Sequence, residues 1–225
     1  MTYVMAGLYG ELDKYREMMK KIAFGKEDIL YVLGDMVDYG AESIPLLVEL
    51  SMCENVYAIA GDHDFRALRM LSGFDRMLRE GAMPDAAFKE EMQSFAADGG
   101  AVTLAGFREL DADMKEGVLD YLSELPLFEE AEVCGREYLL VHAGIAGFDP
   151  DKNLEDHRPE DFFTPEYPKG GLPDGRVLLV GHTPTPSGRI EERDGVIFLD
   201  CGVKDGKALG CLCVLCLSLC QKARS

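Results

Sequence analysis

The stretch "YVLGDMVDYG" (31–40) runs an apolar segment into a glycine and then sets Asp35 and Asp38 three residues apart. The apolar run that feeds it, "DILYVLG" (28–34), is nearly continuous rather than alternating, the pattern of a strand buried on both faces of a parallel sheet. Reading outward, the same unit recurs on either side. "YVMAGL" (3–8) leads into "ELDKYREMMKKI" (11–22), where Leu12, Tyr15, Met19 and Ile22 fall at helical spacing. "SIPLLVELSM" (43–52) reads as a helix with Ser43 as its cap and Pro45 tolerated in the first turn. "NVYAIAG" (55–61) is a third strand, followed by a helical pattern from about Phe65. Strands alternating with helices predict an α/β fold.

Residues 73–125 read as helical and polar, and strands return at "LFEEAEV" (127–133), "EYLLVHAG" (137–144), "RVLLVGH" (176–182) and "GVIFLDCG" (195–202). Short turns such as "RDG" (193–195) predict antiparallel pairing in this half. The Pro-, Gly- and Asp-rich segment 148–175 predicts a loop with one helix. No repeat or linker divides the chain, so 1–225 is expected to form a single domain.

With 47% apolar and 28% charged residues the chain is ordinary for a globular protein, but its formal charge of −18 is not. Such a surface repels a phosphate backbone, which makes duplex nucleic acid and anionic membranes poor partners. Seven cysteines make no disulfide framework, and no basic leader precedes the first strand, so a cytoplasmic setting is expected. Cys211, Cys213, Cys216 and Cys220 follow a C-x-C-x2-C-x3-C spacing without the paired C-x2-C of zinc knuckles. A buried final strand explains them better.

Several strands end alike, with a small residue and then a potential ligand. "VLGD" presents Asp35, "AIAGDHD" Asp62, His63 and Asp64, "LLVHAG" His142, and "LLVGHTPT" His182. In parallel sheets the functional crevice lies outside the carboxyl ends of the strands. Three of the four histidines sit at such ends, while His157 in "LEDHRPED" reads as solvated. Singly, a Gly-Asp after a strand is more often a turn than a ligand. Jointly, carboxylates and imidazoles of intermediate hardness suit Mn²⁺, Fe²⁺ or Zn²⁺.

"GDMVDYG", "GDHD", "LLVHAG" and "GHTPT" resemble, in order and spacing, the GDxVDRG, GNHE, HAG and GHTP blocks of calcineurin-like metallophosphoesterases. The branch they most resemble holds the PPP-type serine/threonine protein phosphatases and the bacterial symmetrical diadenosine tetraphosphatases. The resemblance implies a four-layer α/β/β/α sandwich, with central mixed β-sheets flanked by helices. It implies two metals about 3.5–4 Å apart that clamp the reacting oxygens. Asp35 would bridge them, Asp62, His142 and His182 would complete the second metal's shell, and His63 would be the general acid, oriented by Asp38.

The chain departs from that pattern at its first motif, which reads "GLYG". Gly7 and Tyr9 stand where the family has an aspartate and a histidine, so one divalent metal is expected to bind tightly and the other site to be weak or empty. Tyr39 replaces a phosphate-gripping arginine, and "EDFFTPEY" (160–167) lacks a second one. Tyr39 itself, Arg66, Arg69 or Arg158 could take over substrate binding. The resemblance therefore implies a metal-dependent phosphoesterase acting on a phosphorylated protein, a nucleotide or a small phosphomonoester. The alternative is a pseudophosphatase that uses the same cleft only to bind.

Overall fold

The computed structural model describes residues 1–81 and 83–214. Cys216 and Cys220, which the zinc reading needs, lie outside the described residues. Strand β1 (Thr2–Met5) enters the core with its last three residues buried and is followed by helix α1 (Leu12–Lys21). Strand β2 (Ile29–Val32), helix α2 (Ser43–Ser51) and strand β3 (Val56–Ala58) repeat the unit. β1 and β2 pair in parallel, as do β2 and β3, so their carboxyl ends open on one side. The helices that follow are α3 (Asp62–Glu80), α4 (Ala86–Phe95), α5 (Ala101–Arg108) and α6 (Ala112–Glu124).

The later strands are β4 (Phe128–Val133), β5 (Arg136–Val141), β6 (Val177–Val180), β7 (Glu191–Arg193), β8 (Val196–Phe198) and β9 (Cys211–Cys213). They complete two sheets, ordered β3-β2-β1-β9 and β4-β5-β6-β8-β7. Val4, Ala6 and Leu33 of the first sheet and its strand ends meet Leu140, Leu179 and Ile197 of the second to form the inner core. The outer face of the first sheet packs on α1, α2, α3, α5 and α6 through Leu12, Leu47, Met70, Phe107 and Leu122. The outer face of the second is covered by Ile145, Leu172 and a single-turn helix, α7 (Pro159–Phe162), whose Phe162 is fully buried. This is the expected sandwich of mixed sheets flanked by helices, with one outer layer much thinner than the other.

Several local expectations need correction. Ser43 is not the cap of α2: it is the first helical residue, and its hydroxyl instead receives the Asp38 N–H at 3.0 Å. Helix α3 begins at Asp62, not near Phe65: extended Gly61 is its N-cap, and the Gly61 carbonyl accepts the Phe65 N–H at 2.9 Å. The second half is not simply antiparallel. β4–β5 and β7–β8 are hairpins, turned at Cys134–Gly135 and Asp194–Gly195, paired residues with positive φ. β5–β6 and β6–β8 are parallel. His157 is not solvated either: it is 7% exposed and lies 6.0 Å from the Phe162 ring. No helix among the described residues is long and apolar enough to cross a membrane.

Candidate metal centre and its acid

The turns that reach the site use backbone that residues with a Cβ seldom adopt. Asp35, after β2, has φ 54°, His182, after β6, has 59°, and Asp38 and Tyr39 have 72° and 58°. Such conformations persist where the surroundings over-determine them, which is common at functional sites. Two glycines let the turns approach. A Cβ on Gly34 would stand 2.4 Å from Gly61 N, and one on Gly61 would stand 2.4 Å from both the backbone N and Oδ1 of Asp35. Asp64 then ties the two turns together. Its carboxylate accepts the N–H groups of Asp35 (2.7 Å), Met36 (2.9 Å) and Gly61 (2.9 Å). Burial and the Asp35 charge push the Asp64 pKa up to about 7, against those donors.

Asp35, Asp62, His142 and His182 converge so that one ligand atom from each lies within 4.8 Å of the others. The His142 ring is fixed by its Nδ1–H, which donates to the Leu33 carbonyl at 2.7 Å. That bond assigns the tautomer and turns the Nε2 lone pair toward the cluster. Nε2 lies 2.9 Å from Asp62 Oδ1, 3.1 Å from His182 Nδ1 and 3.4 Å from Asp35 Oδ1. Two imidazole nitrogens facing two carboxylates at these distances can share either a proton or a metal cation. The donor set, two oxygens and two nitrogens, fits a divalent ion of intermediate hardness. Burial opposes a proton on His142, but the Asp35 charge and the Asp62 hydrogen bond outweigh it and raise the pKa to about 9. Burial likewise works to raise the Asp62 pKa, yet its bonds to the two histidines hold it well below the ordinary carboxylate range.

His63 stands beside this group. Its Nδ1 is 2.7 Å from Asp38 Oδ2, and its backbone N–H reaches Asp35 Oδ1 at 3.3 Å. Asp38 is fully buried and held rigid: Thr103 Oγ1 donates to Oδ1 at 2.6 Å and accepts the Asp38 N–H at 3.0 Å. Nδ1 of His63 is thereby committed to Asp38, which leaves Nε2 as the nitrogen available to a ligand. Burial works to lower the His63 pKa, but the Asp38 bond and the charges of Asp35, Asp62 and Asp38 raise it to about 9. At neutral pH the ring carries a proton to give.

Tyr9 fills the ground next to Asp35. Its hydroxyl donates to Asp35 Oδ2 at 2.6 Å and its side chain is 1% exposed. Burial, then the Asp35 charge, raises the Tyr9 pKa far above that of an ordinary phenol. The group stays a neutral donor rather than a phenolate ligand. Gly7, at φ 63°, faces the Tyr9 ring and the Asp200 carboxylate: a Cβ there would lie 3.0 Å from Tyr9 Cε2 and 3.4 Å from Asp200 Oδ2.

The remaining residues of interest are bonded elsewhere. Tyr39 donates its hydroxyl to Asp98 Oδ1 at 2.7 Å, and Arg66 pairs with Asp98 Oδ2 at 3.0 Å and with Ser94 at 2.8 Å. Arg69 pairs with Glu91, and Arg158 with Asp161 at 2.9 Å. Burial, aided by the Asp98 bond, pushes the Tyr39 phenol up to about 12.

Several contributors were not legible in the sequence. Thr103 and Asp98 come from the helical middle, where nothing local marks them. Asp200 did carry a signal, because "FLDCG" ends a strand in the same way as "VLGD". Phe163, 6.1 Å from the His142 ring and 5.4 Å from Phe65, occupies the stretch in which an arginine was sought.

The two-sheet sandwich thus carries a mixed O/N cluster that could hold a metal ion at its strand ends. Residues 8–209 match the family described as calcineurin-like phosphoesterase, and the chain belongs to that family. A symmetrical bis(5'-nucleosyl)-tetraphosphatase of Delftia acidovorans is 29% identical over 64% of this chain and 44% of its own length. An uncharacterized protein of Methanocaldococcus jannaschii is 23% identical over 89% of this chain and 71% of its own. The chain thus spans less than half the length of that tetraphosphatase. Among solved structures, a putative diadenosine tetraphosphatase superposes with a TM-score of 0.65 at 17% identity, covering 93% of this chain and 87% of the other. A protein serine/threonine phosphatase of Saccharomyces cerevisiae gives 0.57 at 14%, covering 88% and 66%. These likenesses show the fold.

Proposed function

We propose that this chain hydrolyses phosphate monoesters, in the manner of serine/threonine protein phosphatases, with one firmly held divalent cation. The observation that carries the reading is the placement of the His63–Asp38 pair beside a four-donor cluster, with the His63 N–H on the same Asp35 that contributes to that cluster. Asp35, Asp62, His142 and His182 would hold the ion, which is Mn²⁺, Fe²⁺ or Zn²⁺ by the chemistry of its ligands. When bound, it supplies Lewis-acid polarisation of the phosphoryl group. Water attacks phosphorus and passes its proton to the released phosphate or solvent; as the ester P–O bond breaks, His63 gives its Nε2 proton to the departing oxygen, and Asp38 holds the ring in position. Asp35 offers one oxygen to the cluster while Tyr9 occupies the other, which favours a single metal over a pair.

The substrate is a phosphorylated protein or a small phosphoester, in a cytoplasmic setting. The tetraphosphatase relatives make a nucleotide a reasonable member of that class. The test is phosphomonoesterase activity on an aryl phosphate with added Mn²⁺, with Asp35→Ala as the blank. Turnover that vanishes in the variant supports the reading, and turnover no higher than the blank sinks it.

The Tyr9–Asp35 bond favours a second reading, a binding module without turnover. Restoring Gly7→Asp, Tyr9→His and Tyr39→Arg together separates the two. A silent parent made active by the triple change means the native cleft binds rather than cuts. An active parent that gains nothing excludes this second reading.

A further inference from the structure

The site is rich in negative charge. Asp35, Asp38, Asp64 and Asp200 are buried around it, and Asp62 adds a fifth carboxyl group. A phosphate dianion needs positive charge there beyond one divalent ion and His63. Arg66, Arg69 and Arg158, the arginines considered for substrate binding, are each paired with a carboxylate. Tyr9 and Tyr39 stand at the two positions where a metal-ligating histidine and a guanidinium were expected.

A cation does lie over those two residues. The Lys204 ammonium is 5.4 Å from the centroid of the Tyr9 ring and 5.8 Å from that of Tyr39. Both rings flank the acid: Tyr9, Tyr39 and His63 stand edge to face, with centroids 5.5–5.6 Å apart. Tyr9 is buried, whereas Tyr39 is 40% exposed and Lys204 is exposed to solvent. Among the described residues no carboxylate oxygen forms a close ion pair with its ammonium, though at longer range its charge works to lower the Asp200 pKa, against the burial that raises it. The turn that presents it is fixed from the site itself. Asp200 Oδ1 accepts the Gly202 N–H at 2.7 Å, and Asp205 and Lys207 N–H groups both close on the Gly202 carbonyl at 3.1 Å. The other oxygen of Asp200, Oδ2, is buried beside Gly7 with no hydrogen-bond partner among the described residues.

We propose that Lys204 is the phosphate-gripping cation of this site, taking the phosphoryl oxygens of the substrate where the first metal and an arginine are missing. The proposal rests on the phosphoesterase reading of the cleft and names the group that makes a dianionic phosphoryl ligand acceptable there. A lysine suits the task because its ammonium is a compact charge with three donors on a flexible stem. The two aromatic faces hold it near the acid between encounters, and the move from rings to phosphate is a swing of the stem with no backbone change.

Inorganic phosphate is the probe, titrated calorimetrically into the Mn²⁺-loaded protein, with Lys204→Met and Lys204→Arg as variants. Lys204→Met is expected to weaken phosphate binding by about 10-fold or more, the scale of a lost charge-assisted bond. Lys204→Arg is expected to stay within about threefold of the parent, with Mn²⁺ affinity and Tm unchanged in both. With an aryl phosphate, the methionine variant raises KM more than it lowers kcat. Equal phosphate affinity in parent and Lys204→Met overturns the proposal, as does a loaded parent that binds no phosphate at millimolar concentration. If the parent binds phosphate through Lys204 but turns over no ester, the hydrolase reading fails while this inference stands.

Discussion

Asp38 and Gly61 show how closely single residues are specified here. The Asp38 carboxylate raises the His63 pKa, so Asp38→Asn is expected to shift the alkaline arm of the kcat/KM profile to lower pH. In the parent that arm lies at or below about 9, because the acid must be protonated and a bound cation can only lower its pKa. A profile of aryl phosphate hydrolysis from pH 5 to 10 checks it, and an arm that stays put would remove Asp38 from the account. At Gly61 the neighbours leave no room for a methyl group: Asp35 N and Oδ1 would be 2.4 Å away and His142 Cε1 3.0 Å. Gly61→Ala is expected to cost about 1–3 kcal/mol in urea unfolding and to weaken metal binding together with stability. At Gly7 the obstacle is a side chain. Gly7→Asp alone meets Tyr9 Cε2 at 3.0 Å, with a strained φ of 63° besides. Adding Tyr9→His is expected to recover part of the lost stability, a coupling that a double-mutant cycle measures.

At the scale of elements, the break between α4 and α5 does as much for the site as any strand. The chain leaves helical geometry at Asp98 and Gly99, whose φ is 88°. Gly99 O then receives the Tyr39 N–H at 3.1 Å, while Asp98 takes the Tyr39 hydroxyl and the Arg66 guanidinium. Restarting the helix there as α5 brings Thr103 under Asp38. Thr103→Val keeps the shape and removes the donor, leaving a buried carboxylate oxygen short of a partner. The expected loss is about 1–3 kcal/mol, read by chemical denaturation. An unchanged midpoint would mean that Thr103 merely packs.

For the whole molecule, the cluster at the strand ends couples metal, protons and folding. The unfolded chain holds no such set of four donors, so a bound ion stabilises the fold by mass action, about 2.7 kcal/mol at 100 times its Kd. Chelation is expected to lower Tm by several degrees, checked by calorimetry with EDTA and then with Mn²⁺ restored. His63 and His142 each have a folded pKa of about 9, raised above the ordinary 6.5. Their contribution to stability is thus fully present below pH 6.5 and is lost as pH rises through 9. In chelated protein stability should therefore fall between pH 6.5 and 9, and fall less with Mn²⁺ bound, because the ion replaces the proton on His142. Parallel curves with and without Mn²⁺ would mean the four donors hold no ion.

The parallel strands and helices of the first half and the turns that carry Asp35, Asp62, His142 and His182 were readable from the chain, as was membership of the phosphoesterase family. The reason is locality: an apolar run, a small residue and the ligand after it are consecutive, and a strand's end fixes where that ligand emerges. Tertiary structure alone decided the rest. Thr103 bonds a residue 65 positions away and His142 one 80 positions away, and no spacing announces such meetings. Arg66 is paired with Asp98, and the Lys204 ammonium lies over Tyr9 and Tyr39, neither of which its neighbours in sequence announce. Which charges are already paired, and which remain for a ligand, depends on distances between side chains brought together by the packing of the whole chain.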